Sequence, residues 1–114
     1  MTECLFCQII AKKLDATIVY EDDEVLAFED INPQAPVHVL FVPKKHISAL
    51  ARVEDCDAPL LAHIFRTIKE FAAPRPELRE GYRVVVNNGK EGGQAVAHLH
   101  FHLLGGRQMD WPPG

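Results

Sequence analysis

Apolar positions change their period along the chain, and the changes mark its elements. Leu5 to Ala11 places Phe6, Ile9 and Ile10 on one side, which predicts a short helix. Thr17–Tyr20 and Val25–Phe28 are β-rich runs, and the acidic tetrad Glu21 to Glu24 between them predicts a hairpin turn. Val37 to Val42 predicts a third strand, stopped by Pro43. Asp57 stands as an N-cap before Ala58-Pro59, with Pro near the start of a helix. Leu61, Ile64, Phe65, Ile68 and Phe71 follow a 3.6 period, so Ala58 to about Ala73 predicts a long amphipathic helix. Pro74 and Pro76 end it. Tyr82–Val86 and His98–Leu104 predict a fourth and a fifth strand. Three strands, a helix and two strands is not βα alternation. It argues an α+β class: a five-stranded antiparallel sheet with one long and one short helix, the helices to one side.

Composition narrows the function. The 114 residues suit one domain, 1–114. With 47% hydrophobic and 25% charged residues the chain has the make-up of a folded globular protein. No apolar run approaches the roughly 18 residues of a membrane span, so no membrane partner is expected. Twelve Lys and Arg against sixteen Asp and Glu give a net charge of −4. Polyanion binders carry a basic field, so a nucleic acid polymer is not an expected partner. A small phosphate-bearing ligand stays compatible with a locally electropositive site. The start has no basic region ahead of an apolar one, and Lys12 and Lys13 interrupt the first apolar stretch. The expectation is a cytoplasmic, reducing setting without disulfides. Cys4 and Cys7 then form a C-x-x-C that is a redox pair or half of a metal site, while Cys56 reads as inert.

The chemistry concentrates in His98-Leu99-His100-Phe101-His102-Leu103-Leu104. Alternate residues of a strand share a face. Leu99, Phe101 and Leu103 would face a core, and the three imidazoles the other side, about 6.6 Å apart. Three readings follow. The rings line a solvated polar face; they ligate a metal that keeps an open position for water; or they act at phosphorus, one ring attacking while a neighbour stabilises charge. Upstream, Asn87-Asn88-Gly89-Lys90-Glu91-Gly92-Gly93-Gln94 is either a simple glycine-rich turn or an anion-binding loop. Its glycines and amides favour the second.

The His-φ-His-φ-His-φ-φ pattern resembles that of the histidine triad (HIT) family, in its purine nucleoside phosphoramidase branch of nucleotide-binding proteins. The likeness extends to Asp30–Pro36, Val42–Ile47, the Asn-x-Gly-x-x-Gly-Gly-Gln loop and the end Gly105–Gly114. It implies the α+β HIT fold and a homodimer with a continuous sheet. It implies that His100 attacks the α-phosphorus of a purine nucleoside 5′-phosphoramidate and forms a nucleotidyl-histidine, from which water releases AMP or GMP. His102 would contact the phosphate and help protonate the leaving amine, and His98 would orient His100 partly through its carbonyl. Asn87 would bond near the phosphate beside the backbone of Gly93, Gln94 and Ala95. His38 matches a further family histidine, with a partly buried strand residue as the plain alternative. Phe6, Ile9, Phe28 and Ile31 match base-contacting positions, although the apolar pattern alone assigns Phe6, Ile9 and Phe28 to the core. Asp30 would take the ribose hydroxyls. Trp111 resembles a tryptophan that reaches the partner subunit's site, against a flexible Pro-rich tail.

Two positions depart from the pattern. Ala95 stands where relatives often have serine, so a hydroxyl contact is lost and a backbone contact is kept. Ala97 stands where tyrosine is frequent. Relatives with the C-x-x-C bind zinc with two further histidines, which match Cys4, Cys7, His46 and His98; such a closed tetrahedral site would be structural, and the chemistry itself requires no cofactor. His63, beside the apolar stripe of the long helix, reads as a surface or boundary residue. Three rivals remain: a nucleotide-binding module with little turnover, a dinucleoside polyphosphate hydrolase, and a zinc hydrolase using all three strand histidines.

Overall fold

The computed structural model describes residues 4–114. The β-branched and aromatic runs become five strands: β1 (Ile18–Glu21), β2 (Val25–Glu29), β3 (Val37–Pro43), β4 (Tyr82–Val86) and β5 (Phe101–Gly105). They form one sheet in the order β1-β2-β3-β5-β4, every neighbouring pair antiparallel. The helices are α1 (Leu5–Ile10) and α2 (Ala58–Ala72). The α+β class stands, but the helices do not lie to one side: α2 covers one face of the sheet and α1 the other, because both sets of alternating strand residues are apolar. Among the described residues no helix is long and apolar enough to cross a membrane.

The first hairpin turns on one carboxylate. Asp22 Oδ1 accepts the N–H groups of Glu24 and Val25, both at 2.8 Å, and so reproduces a backbone turn with a side chain. Asp22 Oδ2 accepts the Tyr20 hydroxyl at 2.6 Å and His63 Nε2–H at 2.7 Å. His63, half-buried at the boundary of the helix, thus ties α2 to this turn. Glu21 belongs to β1, where it holds Lys12 and Lys44.

Alternation sends the strands' side chains to two cores. Val25, Ala27, Val39, Phe41, Phe101 and Leu103 pack against Leu60, Ile64, Ile68 and Phe71 of α2. Leu26, Phe28, Leu40 and Val42 point the other way and are covered by Phe6 and Ile9 of α1. The two central hydrophobic strands, β2 and β3, are therefore buried on both sides.

Four local expectations need correcting. Pro43 does not stop β3 but closes it, paired with Val25. Asp57 precedes α2 without capping it: its carboxylate accepts Glu54 N–H at 3.0 Å and Lys45 Nζ at 2.6 Å, because a 3-10 turn at Asp55–Asp57 leads into the helix. Phe65 is 52% exposed and Leu60 is buried in its place, so the helix faces the sheet slightly rotated from the expected stripe. The regular ladder of β5 starts at Phe101, so His98 and His100 lie in the segment that leads into it.

Candidate functional site

The approach to β5 is held by backbone contacts. Leu99 N–H donates to Ile47 O at 2.6 Å, and His98 N–H to Val96 O at 2.8 Å. The side chains still alternate through this segment. Leu99, Phe101 and Leu103 enter the α2 core, whereas Phe6 of α1 meets the rings of both His98 and His100, with the His100 centroid 5.1 Å away at 88°. The three imidazoles share one side of the sheet, and register extends that side to Leu40 opposite His102 and to Val85 on its other flank.

Backbone partners assign the ring protons. His98 Nε2–H donates to Pro43 O at 2.8 Å, which leaves the lone pair on Nδ1. His100 Nδ1–H donates to His98 O at 2.6 Å, so in the neutral ring the lone pair lies on Nε2. Among the described residues no buried side-chain polar atom lacks a partner, and the unbonded His100 Nε2 therefore reaches the surface. Gln34 N–H donates to His38 Nδ1 at 3.0 Å. His38 Nε2 then carries hydrogen and stands 2.9 Å from His102 Nδ1 and 3.4 Å from Asp30 Oδ2. Burial disfavours the charged form of His38, His98 and His102. It lowers His38 and His98 below the ordinary imidazole range, and it pushes His102 down to about 4 with help from His100 and His38. Asp30 opposes the shift at His38 and His102.

His98 faces away from the other two through its Nδ1. Cys4 Sγ lies 3.4 Å from that nitrogen, Cys7 Sγ 3.6 Å and His46 Nδ1 3.1 Å, and Cys7 Sγ is 3.3 Å from His46 Nδ1. A tetrahedral zinc with ordinary bond lengths has N–N edges of about 3.3 Å and N–S edges of about 3.6 Å. The four donors already stand at those separations. Burial, then the neighbouring Cys4, raises the Cys7 thiol, so two thiolates here call for a cation between them. The residues fit zinc, and the Pro43 carbonyl supplies the outer contact that fixes the His98 tautomer. A zinc shared by all three strand histidines does not fit: both nitrogens of His98 are directed elsewhere.

The remaining expected residues divide. Phe6, Ile9 and Phe28 are buried in the core beneath the histidines, with the Phe6 and Phe28 rings 5.3 Å apart. Asp30 is half-buried, and its Oδ1 accepts Asn32 N–H at 2.8 Å. Ile31 and Trp111 are 97% and 82% exposed. Asn87 and Trp111 line one groove of about 910 Å³ along β4. Several loop donors are committed. Gly93 N–H bonds Lys90 O, Gln94 N–H bonds Gly89 O, and the Gln94 amide donates to Ser48 O and Val96 O. The anion contact expected of Gly93 and Gln94 is therefore spent on closing the loop, while the Asn87 side chain makes no hydrogen bond among the described residues. Ala95 is exposed and shares a groove with Cys4, Cys7 and His46.

Sequence reasoning missed Gln34 and Pro43. Both act through backbone groups, which every residue carries and which leave no side-chain signature.

The chain is similar over nearly its whole length to known proteins. The HIT domain family matches residues 11–109. An uncharacterized HIT-like protein of Synechococcus elongatus is 51% identical over 112 residues, 98% of this chain and 97% of that protein. A 14 kDa zinc-binding protein of Zea mays is 49% identical over 112 residues, 96% of this chain and 87% of that protein. The crystal structure of a HIT family hydrolase from Legionella pneumophila superposes with a TM-score of 0.95 at 52% identity, covering 98% of this chain and all of that one. With the triad, its backbone anchors and these likenesses in agreement, the chain belongs to the HIT family.

Proposed function

We propose that this protein is a nucleotide-binding hydrolase that cleaves the P–N bond of purine nucleoside 5′-phosphoramidates. The observation that carries the reading is the His98 carbonyl 2.6 Å from His100 Nδ1, which takes up that nitrogen's hydrogen and leaves Nε2 as the nitrogen free to attack. In this reading Nε2 attacks the α-phosphorus of a substrate protonated on its phosphoramidate nitrogen, the P–N bond breaks with its electron pair leaving on the free amine, and a nucleotidyl-His100 forms. Water then attacks the same phosphorus and releases the nucleoside monophosphate. His102 presents Nε2–H to the phosphoryl oxygen or the departing nitrogen. Asp30 keeps carboxylate lone pairs for the ribose, Asn87 supplies a neutral donor beside the phosphate, and Ile31 with Phe6, Ile9 and Phe28 forms the apolar side for the base. Cys4, Cys7, His46 and His98 would hold zinc, which supplies a structural cross-link between α1 and the segment carrying the triad. The relative from Legionella pneumophila, a HIT family hydrolase, supports the reaction class, and the zinc-binding relative from Zea mays supports the metal.

A cytoplasmic homodimer completes the proposal. β4 is an edge strand, and Tyr82 on it and Phe65 on α2 are 42% and 52% exposed. Unpaired strand edges and exposed aromatics invite a second copy. A second reading, nucleotide binding with little turnover, draws on the spent donors of Gly93 and Gln94 and on Ala95. Steady-state assays of an adenosine 5′-phosphoramidate and of a dinucleoside polyphosphate, beside AMP calorimetry, separate the readings. Turnover of the phosphoramidate at the higher kcat/KM is expected. Binding without turnover selects the second reading, preference for the polyphosphate selects the other hydrolase, and absence of both binding and turnover contradicts all three.

A further inference from the structure

The protons of His38 and His102 are ordered by a peptide group. Gln34 N–H can only donate, so His38 Nδ1 accepts and neutral His38 carries its hydrogen on Nε2. His102 Nδ1, 2.9 Å away, must then accept in turn, which places the hydrogen of neutral His102 on Nε2. If the Gln34 N–H swung away, the His38 Nδ1–H form would become available. The chain would then reverse, and His102 Nε2 would offer a lone pair where a phosphoryl oxygen needs a donor.

Gln34 is exposed and lies in an irregular turn, so its orientation requires anchors. Its own side chain donates to Asn32 O at 3.0 Å. The stronger anchor comes from the far end of the sequence. Arg107 donates to Gln34 O twice, from Nε at 3.1 Å and from an η nitrogen at 3.0 Å, and its other η nitrogen bonds Gln108 O. A guanidinium fork fixes an acceptor's direction as a single donor cannot. The tail approaches this turn closely: Gly106, at φ +90°, lies where a Cβ would come within 2.9 Å of Pro36 Cβ.

We infer that Arg107 is a positioning residue: by clamping the Gln34 carbonyl it keeps the Gln34 N–H on His38 Nδ1, and so holds His102 as an Nε2–H donor toward the phosphoryl site. The catalytic consequence rests on the proposed hydrolase reading; the tautomer itself does not. The test is long-range 1H–15N correlation of the imidazoles in the full-length protein, at a pH where the rings are neutral. Wild type should show bare Nδ1 and protonated Nε2 on both His38 and His102. R107Q should populate the other His38 tautomer, with His102 following, and lower kcat about 10-fold with little change in AMP affinity. R107K, with one donor in place of the fork, should be intermediate in both readouts. A wild-type His102 protonated at Nδ1 overturns the inference. So do wild-type tautomers in R107Q, or in R107K if R107Q fails to fold by circular dichroism. Absence of turnover in wild type would count against the hydrolase reading and leave the tautomer result standing.

Discussion

The two faces of the sheet are made from the same strands and serve opposite ends. On β3, Phe41 turns toward α2 and packs edge-on against Phe71 with centroids 5.4 Å apart, while Leu40 and His38 turn to the other side. Both faces are buried. The α2 face is filled by apolar side chains, and burial there contributes stability directly. The histidine face is largely buried too, but it contains ionisable rings, and burial there lowers His38, His98 and His102 below the ordinary imidazole range. His98 is fully buried with both ring nitrogens engaged, whereas His100 keeps one nitrogen open. Burial therefore gives cohesion on one face and an ordered, hydrogen-bonded set of imidazoles on the other.

Changes on each face should separate these effects. The largest is expected for His100→Ala. The hydrolase reading predicts a loss of turnover of at least roughly 1000-fold, with AMP binding and melting temperature nearly unchanged. Kinetics beside calorimetry and thermal denaturation would check it. Phe41→Ala should do the reverse: about 3–5 kcal/mol of stability lost in urea unfolding, with the folded fraction retaining its activity.

The pH dependence of stability comes third. His102 titrates near 4 when folded and near 6.5 when unfolded, so the unfolded chain binds the extra proton between those values. Its contribution is complete above about pH 6.5 and is lost as pH falls toward 4. Unfolding free energies across that window should slope upward with pH, and His102→Asn should flatten part of the slope. The smallest effect is expected away from both faces. Burial alone would raise the Asp22 carboxyl, but hydrogen bonds from Tyr20, Glu24, His63 and Val25 outweigh it and hold the group well below the usual carboxylate range. Asp22→Asn should cost about 1–2 kcal/mol at neutral pH. The difference from wild type should shrink as pH falls below the carboxylate range, measured by the same unfolding curves.

Much of the histidine face was legible in the sequence because its signal is a period. Alternation alone assigns Leu99, Phe101 and Leu103 to one side and three histidines to the other. The C-x-x-C was equally legible as half of a metal site, but its partners His46 and His98 came only from likeness, since 39 and 91 residues separate them from Cys7. What escaped was decided by the backbone or across long distances. Asp57 reads locally as a helix cap, yet Lys45 on a distant segment and the Glu54 N–H claim it. The ladder of β5 begins three residues late, and ahead of it Leu99 N–H bonds Ile47 O and His98 N–H bonds Val96 O. The loop Asn87–Gln94 reads as an open anion cradle, but its amides close on themselves and on Ser48.

The central claim is that His100 Nε2 attacks phosphorus. Rapid acid-free quenching of the protein with an adenosine 5′-phosphoramidate, followed by peptide mass spectrometry, tests it most directly. The account predicts a transient adduct of one nucleoside monophosphate on His100, absent from His100→Ala. Turnover with no adduct in wild type, or an adduct on another residue, would contradict it.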